Sequence, residues 1–278
     1  MKKWSLINVE LFEQKGFKIS VLASGSSGNA TYIETPKRKM IVDCGLSGKK
    51  MVELMASIGR NLADVDTLFV THEHRDHTHG VGVLARKYKM NVYANEATWQ
   101  AMDRIVGKIP IEQKHIIEPD ELKTFSDIDV QTFKVSHDAA NPQFYAFQKD
   151  QKQFVILTDT GYVSERLRAQ LRGADGYLIE SNHDLELLRM GPYPWSLKQR
   201  ILSDEGHLSN NDGALAVSEM LSDKTKHVFL GHLSKETNMK QIAYDTAFQI
   251  MVEKGLAPNQ HFALHHTEPY AAQPLIDI

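Results

Sequence analysis

Residues 71–80 read THEHRDHTHG, with four histidines, one aspartate and one glutamate directly after an apolar run. Alternate side chains of an extended segment point the same way, so we expect His72 and His74 to face one metal ion. Asp76 and His77 are expected to face a second. Imidazole with carboxylate suits zinc, manganese or iron. An accidental polar loop is the alternative interpretation, and this spacing disfavours it.

Strand and helix patterns alternate on both sides of this segment. Strands are predicted at 18–23, 30–34, 39–43, 66–70, 91–94, 114–117, 121–124, 128–135, 143–149, 153–158, 175–180, 226–230 and 261–264. Helices are predicted at 48–59, 82–88, 95–106, 163–172, 184–190, 210–221 and 238–254, with a proline-rich break, GPYPW, at 191–195. The pattern alone indicates an α/β (α+β) chain. The repeated order of strands followed by helices favours two halves stacked sheet to sheet, a four-layer αββα sandwich.

The bulk composition limits the class of protein. With 278 residues, one large domain spanning 1–278 is expected. No apolar run is long enough for a membrane span, and the first residues lack the apolar core of a signal peptide, so we expect a cytoplasmic protein that contacts no membrane. The one cysteine, Cys44, agrees with a reducing compartment and is expected to be buried. A net charge of −3 disfavours a protein that coats nucleic acid through its overall charge alone.

The order H-x-H-x-D-H resembles the signature of the metallo-β-lactamase fold superfamily, and four further segments match that pattern. Asp43 in IVDCG, His137 in KVSHD, Asp159 in VILTDTG and His232 in VFLGHLS each follow an apolar strand. The resemblance covers residues 18–265 and leaves 1–16 outside as an N-terminal extension. It implies the four-layer αββα fold.

The resemblance also implies a ligand set for two divalent ions. His72, His74 and His137 would hold the first ion, and Asp76, His77 and His232 the second. Asp159 would bridge the two, and Asp43 would orient a ligand imidazole, although a plain strand-end cap is the alternative for Asp43. Asp76 is expected to be both a ligand and a catalytic residue. Two such ions can share a hydroxide poised for in-line attack on a phosphate.

Two later segments resemble elements of tRNase Z-like phosphodiesterases. In ESNHD (180–184) and EGHLSNNDGA (205–214), the resemblance implies that His207 contacts the phosphate or protonates the leaving group. Glu180 or His183 would orient His207. The alternatives are that His207 merely precedes a helix capped by Ser209 or Asn210, and that His183 is a surface histidine.

Together with SVLASGSSGNATYIE and MGPYPW, these segments resemble the YycJ/WalJ type of metallo-hydrolase. That subgroup implies 5′→3′ exonuclease action, with DNA as the substrate partner. The span from Asp159 to His232 is too short for the extra domain of RNase J-like enzymes, and no arm like that of tRNase Z is evident. Hydrolysis of a small cyclic phosphodiester, lactone or thioester is the alternative function, and a non-catalytic metal-binding module is a third.

A phosphodiester substrate needs cationic contacts, although exposed lysines and arginines are usually only solvated. The candidates are Arg166, Arg168, Arg189, Lys198 and Arg200. Tyr193 and Trp195 are expected to pack in the core, with stacking on a base as the alternative. The segment SGSSGN (24–29) lacks the spacing of a phosphate-binding loop and predicts a tight turn near the site.

Overall fold

The structure is a computed structural model, and it describes residues 16–278. The expected N-terminal extension, residues 1–16, lies outside the described residues except for Gly16. The prediction that these first residues lack the apolar core of a signal peptide also falls outside them. Among the described residues, no helix is long and apolar enough to cross a membrane.

The first sheet has seven strands and is built mainly from the first part of the chain. Its strands are β1 Lys18–Ala23, β2 Ala30–Glu34, β3 Lys39–Val42, β4 Thr67–Phe69, β5 Asn91–Ala94, β6 Lys114–Ile116 and, from the end of the chain, β14 Ile276–Asp277. Their order is β14-β1-β2-β3-β4-β5-β6. β14, β1, β2 and β3 pair antiparallel, whereas β3 to β6 pair parallel. The loops that follow β3 and β4 therefore meet at one end of this sheet.

The second sheet also has seven strands, in the order β13-β12-β11-β10-β9-β8-β7. The strands are β7 Leu122–Phe125, β8 Ile128–Lys134, β9 Gln143–Lys149, β10 Lys152–Leu157, β11 Gly176–Glu180, β12 His227–Gly231 and β13 Ala263–His266. β7 to β10 pair antiparallel, and β10 to β13 pair parallel. The ends of β10, β11 and β12 consequently lie side by side.

Nine helices lie among the described residues: α1 Gly48–Ser57, α2 Arg75–Thr78, α3 Val81–Tyr88, α4 Glu96–Val106, α5 Glu165–Leu171, α6 Leu185–Met190, α7 Trp195–Ile201, α8 Asn210–Met220 and α9 Lys240–Glu253. Short 3-10 turns occupy Leu62–Asp64 and Ile111–Gln113. Side-chain caps start several helices: Ser47 accepts from Lys50, Asn95 from Thr98 and Ser209 from Asp212. Because these caps satisfy otherwise unpaired backbone donors, the helix starts follow directly from the sequence.

Three apolar clusters confirm the four-layer αββα architecture. One lies between the sheets and includes Ile19, Phe69 and Phe229. A second packs the first sheet against its helices through residues such as Leu54 and Leu84, and a third does the same for the second sheet. Each sheet thus buries one face against the other sheet and the other face against helices.

Three elements differ from the sequence-based expectation. α2 lies inside the histidine motif, and α7 follows the proline-rich break. β14 consists of two residues whose one strand partner within residues 16–278 is β1. Trp195 was expected in the core, and this was wrong, because 65% of its surface is exposed at the start of α7.

Candidate metal centre

The centre lies where the polar ends of several strands meet. β4 leads into His72 and His74, and α2 carries Asp76 and His77. Three further donors follow strands of the second sheet: His137 after β8, Asp159 after β10 and His232 after β12. Residues far apart in sequence are therefore brought to one end of the two stacked sheets.

The first group of donors consists of three histidines, His72, His74 and His137, whose ligand atoms lie within 4.8 Å of one another. The Nε2 atom of His137 is 3.3 Å from Nδ1 of His74. Nε2 of His72 is buried and has no hydrogen-bond partner among the described residues. Three imidazole nitrogens this close together, one of them buried without a hydrogen-bond partner, form a group that can bind a divalent cation.

The second group contains Asp76, His77, Asp159 and His232, with the same limit of 4.8 Å. Nε2 of His232 lies 3.3 Å from Oδ2 of Asp76, and Nε2 of His77 lies 3.2 Å from Oδ2 of Asp159. The other carboxylate oxygen of Asp159 is 3.9 Å from Nε2 of His137, in the first group. The carboxylate of Asp159 thus lies close to a histidine of each group.

Four of the five histidines are oriented by a hydrogen bond from the Nδ1 side of the ring. His77 donates to Asp43 over 2.8 Å, and His232 donates to Glu180 over 2.9 Å. His137 donates to the carbonyl of Gly206 over 3.0 Å, and Nδ1 of His72 lies 3.0 Å from Oγ1 of Thr71. Because these contacts use the Nδ1 side, Nε2 is the nitrogen of each ring that can bind a metal. The donor set therefore fits divalent metal binding.

Asp43 holds the motif through three hydrogen bonds. Besides His77, it accepts from the backbone N–H of Thr71 and from its hydroxyl, both over 2.9 Å. Since Thr71 in turn contacts His72, one buried carboxylate supports a histidine from each donor group. These contacts are compatible with the orienting role that the resemblance implies for Asp43.

His207 lies beside the donors, with its ring centroid 5.0 Å from that of His137. It donates from Nδ1 to Glu180 Oε1 over 2.7 Å, and the same oxygen accepts from His232. Burial alone would raise the pKa of Glu180, but the charge of His207 and the hydrogen bonds from both histidines bring that pKa down to about 2. Glu180 is therefore an anionic acceptor shared by His207 and His232.

His183 does not share this arrangement. It is buried, its Nδ1 lies 3.4 Å from the Asn182 side chain, and Nε2 has no hydrogen-bond partner within residues 16–278. Burial lowers its pKa to about 4. Of the two residues considered for orienting His207, the structure thus brings Glu180 into contact, and it places His183 in the protein interior, not on the surface.

A cavity of about 340 Å³ opens onto the donors and is lined by Asp76, Asp159, His207 and His232. Arg200 and Tyr193 form part of its wall, next to α7. Arg200 contacts Asp138, which follows His137 in the sequence. An arginine at this wall offers a guanidinium to an anionic substrate.

The other cationic candidates lie elsewhere. Arg168 pairs with Glu219 over 2.7 Å, and the buried Lys198 donates to the carbonyl of Arg189 over 2.7 Å. Arg166 and Arg189 are exposed. None of these four lines the cavity. Arg200 alone of the five candidates is thus placed beside the donors.

Sequence reasoning missed two residues that contact the donors. The Asn29 amide lies 3.1 Å from Nε2 of His77 and 3.4 Å from Oδ2 of Asp76. Ser24 accepts from the backbone N–H of His232 over 2.7 Å. Both belong to SGSSGN, whose predicted turn next to the site was the available signal.

The chain is similar in sequence to several known proteins. Residues 38–269 match the family described as a beta-lactamase superfamily domain. Exodeoxyribonuclease WalJ of Streptococcus pneumoniae is 57% identical to the chain over 265 residues, which are 95% of the chain and 98% of that protein. Exodeoxyribonuclease YycJ of Bacillus anthracis is 51% identical over 254 residues, 91% of the chain and 96% of that protein.

The solved structure of the metallo-beta-lactamase fold protein YhfI from Bacillus subtilis superposes with a TM-score of 0.71. The two sequences are 14% identical, and the superposition covers 93% of the chain and 99% of that structure. At this identity the likeness concerns the fold alone.

Proposed function

The chain belongs to the beta-lactamase superfamily, together with the WalJ and YycJ exodeoxyribonucleases, and from this premise we propose that it is a dinuclear metal-dependent phosphodiesterase that degrades DNA from the 5′ end. The observation that carries the proposal is the pair of donor groups joined by Asp159, with His207 beside them. We further propose that residues 16–278 work as one domain, in the cytoplasm, where DNA is available.

We assign the first ion to His72, His74 and His137, and the second to Asp76, His77 and His232, with Asp159 shared. Zinc, manganese and iron all suit this set of nitrogen and oxygen donors. When bound, the ions would supply positive charge for the phosphate and increase the acidity of water. Asp43 and Glu180 keep the ligand rings in place through their Nδ1 hydrogen bonds.

The chain's own residues supply the remaining catalytic functions. His207, held by Glu180, can contact the phosphate or donate a proton from Nε2 to the leaving oxygen. Arg200 at the cavity wall can bind a phosphate oxygen. The hydrogen bond to Glu180 engages Nδ1 of His207, so Nε2 is the ring nitrogen left to face a substrate in the cavity.

The proposal is tested by elemental analysis of the purified protein and by digestion of duplex DNA labelled at either the 5′ or the 3′ end. We expect about two ions per chain and stepwise release of nucleotides from the 5′ end. The variants Asp76→Ala and His77→Ala should abolish cleavage. His79→Ala is the matched control, since His79 is exposed at the end of α2 and belongs to neither donor group. Absence of DNA cleavage with zinc, manganese and iron alike would refute the proposal.

A second function is favoured by the net charge of −3 and the modest cavity volume of about 340 Å³. These suit a small cyclic phosphodiester, lactone or thioester. The salt dependence of substrate affinity separates the two functions, because binding of a polyanion releases counterions. A steep loss of DNA affinity between low and moderate salt supports the nuclease, and salt-independent turnover of a small ester supports the alternative.

A further inference from the structure

A second groove, of about 390 Å³, lies next to the catalytic cavity. Ser26 and Ser234 line both spaces, so the groove continues directly from the metal centre. None of the seven proposed ligands lines it. The groove is thus adjacent to the cavity over the donor groups, and the chemistry assigned so far does not use it.

One side of the groove is apolar and uncovered. Tyr270 is 53% exposed and Met239 is 60% exposed, and Pro269 also lines the groove. Large exposed apolar side chains gathered in one groove mark a place for a ligand. An exposed tyrosine ring offers a flat surface on which any base can stack.

The rim of the groove carries positive charge. Lys240 contacts Glu268, which leaves Lys235, an exposed residue, as the lining ammonium outside that pair. A cation at the edge of an apolar, aromatic groove matches a nucleotide, which has a flat base and an anionic phosphate. A neutral hydrophobic ligand would not need the lysine.

The groove is held at a fixed position relative to the metal centre. Ser24, in its lining, accepts from the N–H of the ligand His232 over 2.7 Å. Asn238, also in the lining, donates to the carbonyls of Ser181 and Asn182 over 2.8 and 3.0 Å, next to Glu180. The same loops therefore shape both the groove and the metal centre. A ligand bound in the groove would lie at a fixed distance from a phosphate bound at the metal centre.

We propose that this groove binds the nucleoside adjacent to the scissile phosphate, with its base stacked on Tyr270 and its outer phosphate near Lys235. The assignment rests on the proposed nuclease function and adds to it a subsite that contacts the base. Because stacking does not distinguish bases, the subsite accepts all four.

The test uses the full chain loaded with metal and oligonucleotides whose terminal linkages are nuclease-resistant phosphorothioates. A 2-aminopurine base is placed at successive positions from the 5′ end, and its fluorescence is measured upon binding. We expect quenching at one position with the wild-type protein and with Tyr270→Phe, and its loss with Tyr270→Ala. Affinity should fall by roughly 10-fold in Tyr270→Ala. Lys235→Gln should lower the salt slope of binding by about one.

Ile111→Ala is the matched control, because Ile111 is 80% exposed and lies outside the groove. Thermal unfolding of every variant shows whether it is folded. Cleavage of 5′-labelled DNA by the wild type tests the nuclease function separately. Cleavage without any Tyr270-dependent quenching overturns the groove assignment. Tyr270-dependent quenching without cleavage overturns the nuclease and keeps the groove as a nucleic-acid site, and absence of both overturns both.

Discussion

Three side chains of the site sit on a backbone conformation that favours glycine. Asp43, Asp159 and His232 have φ angles of 60°, 58° and 54°, and each directly follows a strand or lies within two residues of its end. Such a conformation costs on the order of 1 kcal/mol or more for a residue other than glycine. The hydrogen bonds of Asp43 and the N–H of His232 to Ser24 offset that cost. Local backbone strain is thus found at three positions whose carboxylate or imidazole side chains belong to the candidate site.

Replacing Asp43 should weaken metal binding more than it weakens the fold. In Asp43→Ala, Thr71 and His77 lose their shared acceptor, and we expect metal affinity to fall by about 10- to 100-fold. Asp43→Asn, which retains one oxygen and tolerates a positive φ, should lose less. Titration with a competing chelator measures the affinity. Equal metal affinity in Asp43→Ala and the wild type would contradict this role.

His207→Ala should separate catalysis from metal binding. The variant retains all seven proposed ligands, so elemental analysis should give the wild-type metal content. Because a general acid or phosphate contact is lost, turnover of DNA should fall by about 10²- to 10⁴-fold. Unchanged turnover with metal still bound would mean that His207 is only a loop residue before α8.

At the scale of elements, the backbone of the loop after β3 packs closely against the backbone of helix α2. Asn29 donates its backbone N–H to the carbonyl of Asp76 over 2.8 Å, and Cys44 donates to that of His77 over 2.8 Å. A Cβ atom at Gly45 would lie 1.7 Å from the same Asp76 carbonyl. Glycine is therefore required there so that three backbone segments can approach the motif.

Gly45→Ala should consequently displace α2 and lower both metal content and thermal stability. The added methyl group meets backbone, which cannot rotate away, so the loop and the helix must separate. Elemental analysis and the unfolding midpoint measure the two effects. Gly16→Ala serves as the control, because its nearest neighbour would be 3.8 Å away. An unchanged metal content in Gly45→Ala would show that α2 can shift without losing its ligands.

The sequence predicted the regular elements better than the contacts between them. The strands β1, β2, β5 and β9 have the bounds that the sequence predicted, because the apolar residues within them are buried in the sheets and form a recognisable pattern. α2 and α7 were missed, since four residues among histidines and seven after a proline carry little periodicity. β14 is defined only by its pairing with β1, so no local pattern could indicate it.

In the site too, the identities of the residues were easier to predict than the contacts between them. The proposed ligands were predicted from spacing and family resemblance, and the structure brings Asp43 into contact with His77 and Glu180 into contact with His232. The contacts of Asn29 with His77, and of Asp138 with Arg200, depend on how distant loops meet. No sequence pattern within a single segment predicts a contact between two distant loops.

At the scale of the whole molecule, titratable pairs also lie away from the site. At the outer edge of the second sheet, Nδ1 of His227 lies 3.1 Å from Nε2 of His265, and the ring of His265 stacks on Phe229 at 4.4 Å. Burial, with a smaller effect of His227, lowers the pKa of His265 to about 4. The folded protein thus holds His265 neutral at pH values where the unfolded chain would protonate it.

Acid should therefore destabilise this edge. The stabilisation from neutral His265 is complete above the ordinary histidine pKa of 6.5 and is lost as the pH falls toward about 4, because the unfolded chain binds the extra proton. In His265→Phe, the unfolding midpoint should decrease less than in the wild type between pH 6.5 and 4. His261→Phe, at an exposed position on the preceding turn, is the control. Parallel pH profiles for wild type and His265→Phe would exclude the effect.

The pairing of β14 with β1 has a consequence for the timing of folding. Lys18 and Asp277 are partners in the first sheet, and the N–H of Gln273 donates to the carbonyl of Val21 over 2.9 Å. During synthesis, β1 is made before every other described strand, and β14 is made after every other described strand. The edge of β1 that pairs with β14 therefore lacks this partner until β14 has emerged from the ribosome. Folding of this edge of the first sheet should be completed late, and β1 is the segment that a nascent-chain chaperone would have to protect meanwhile.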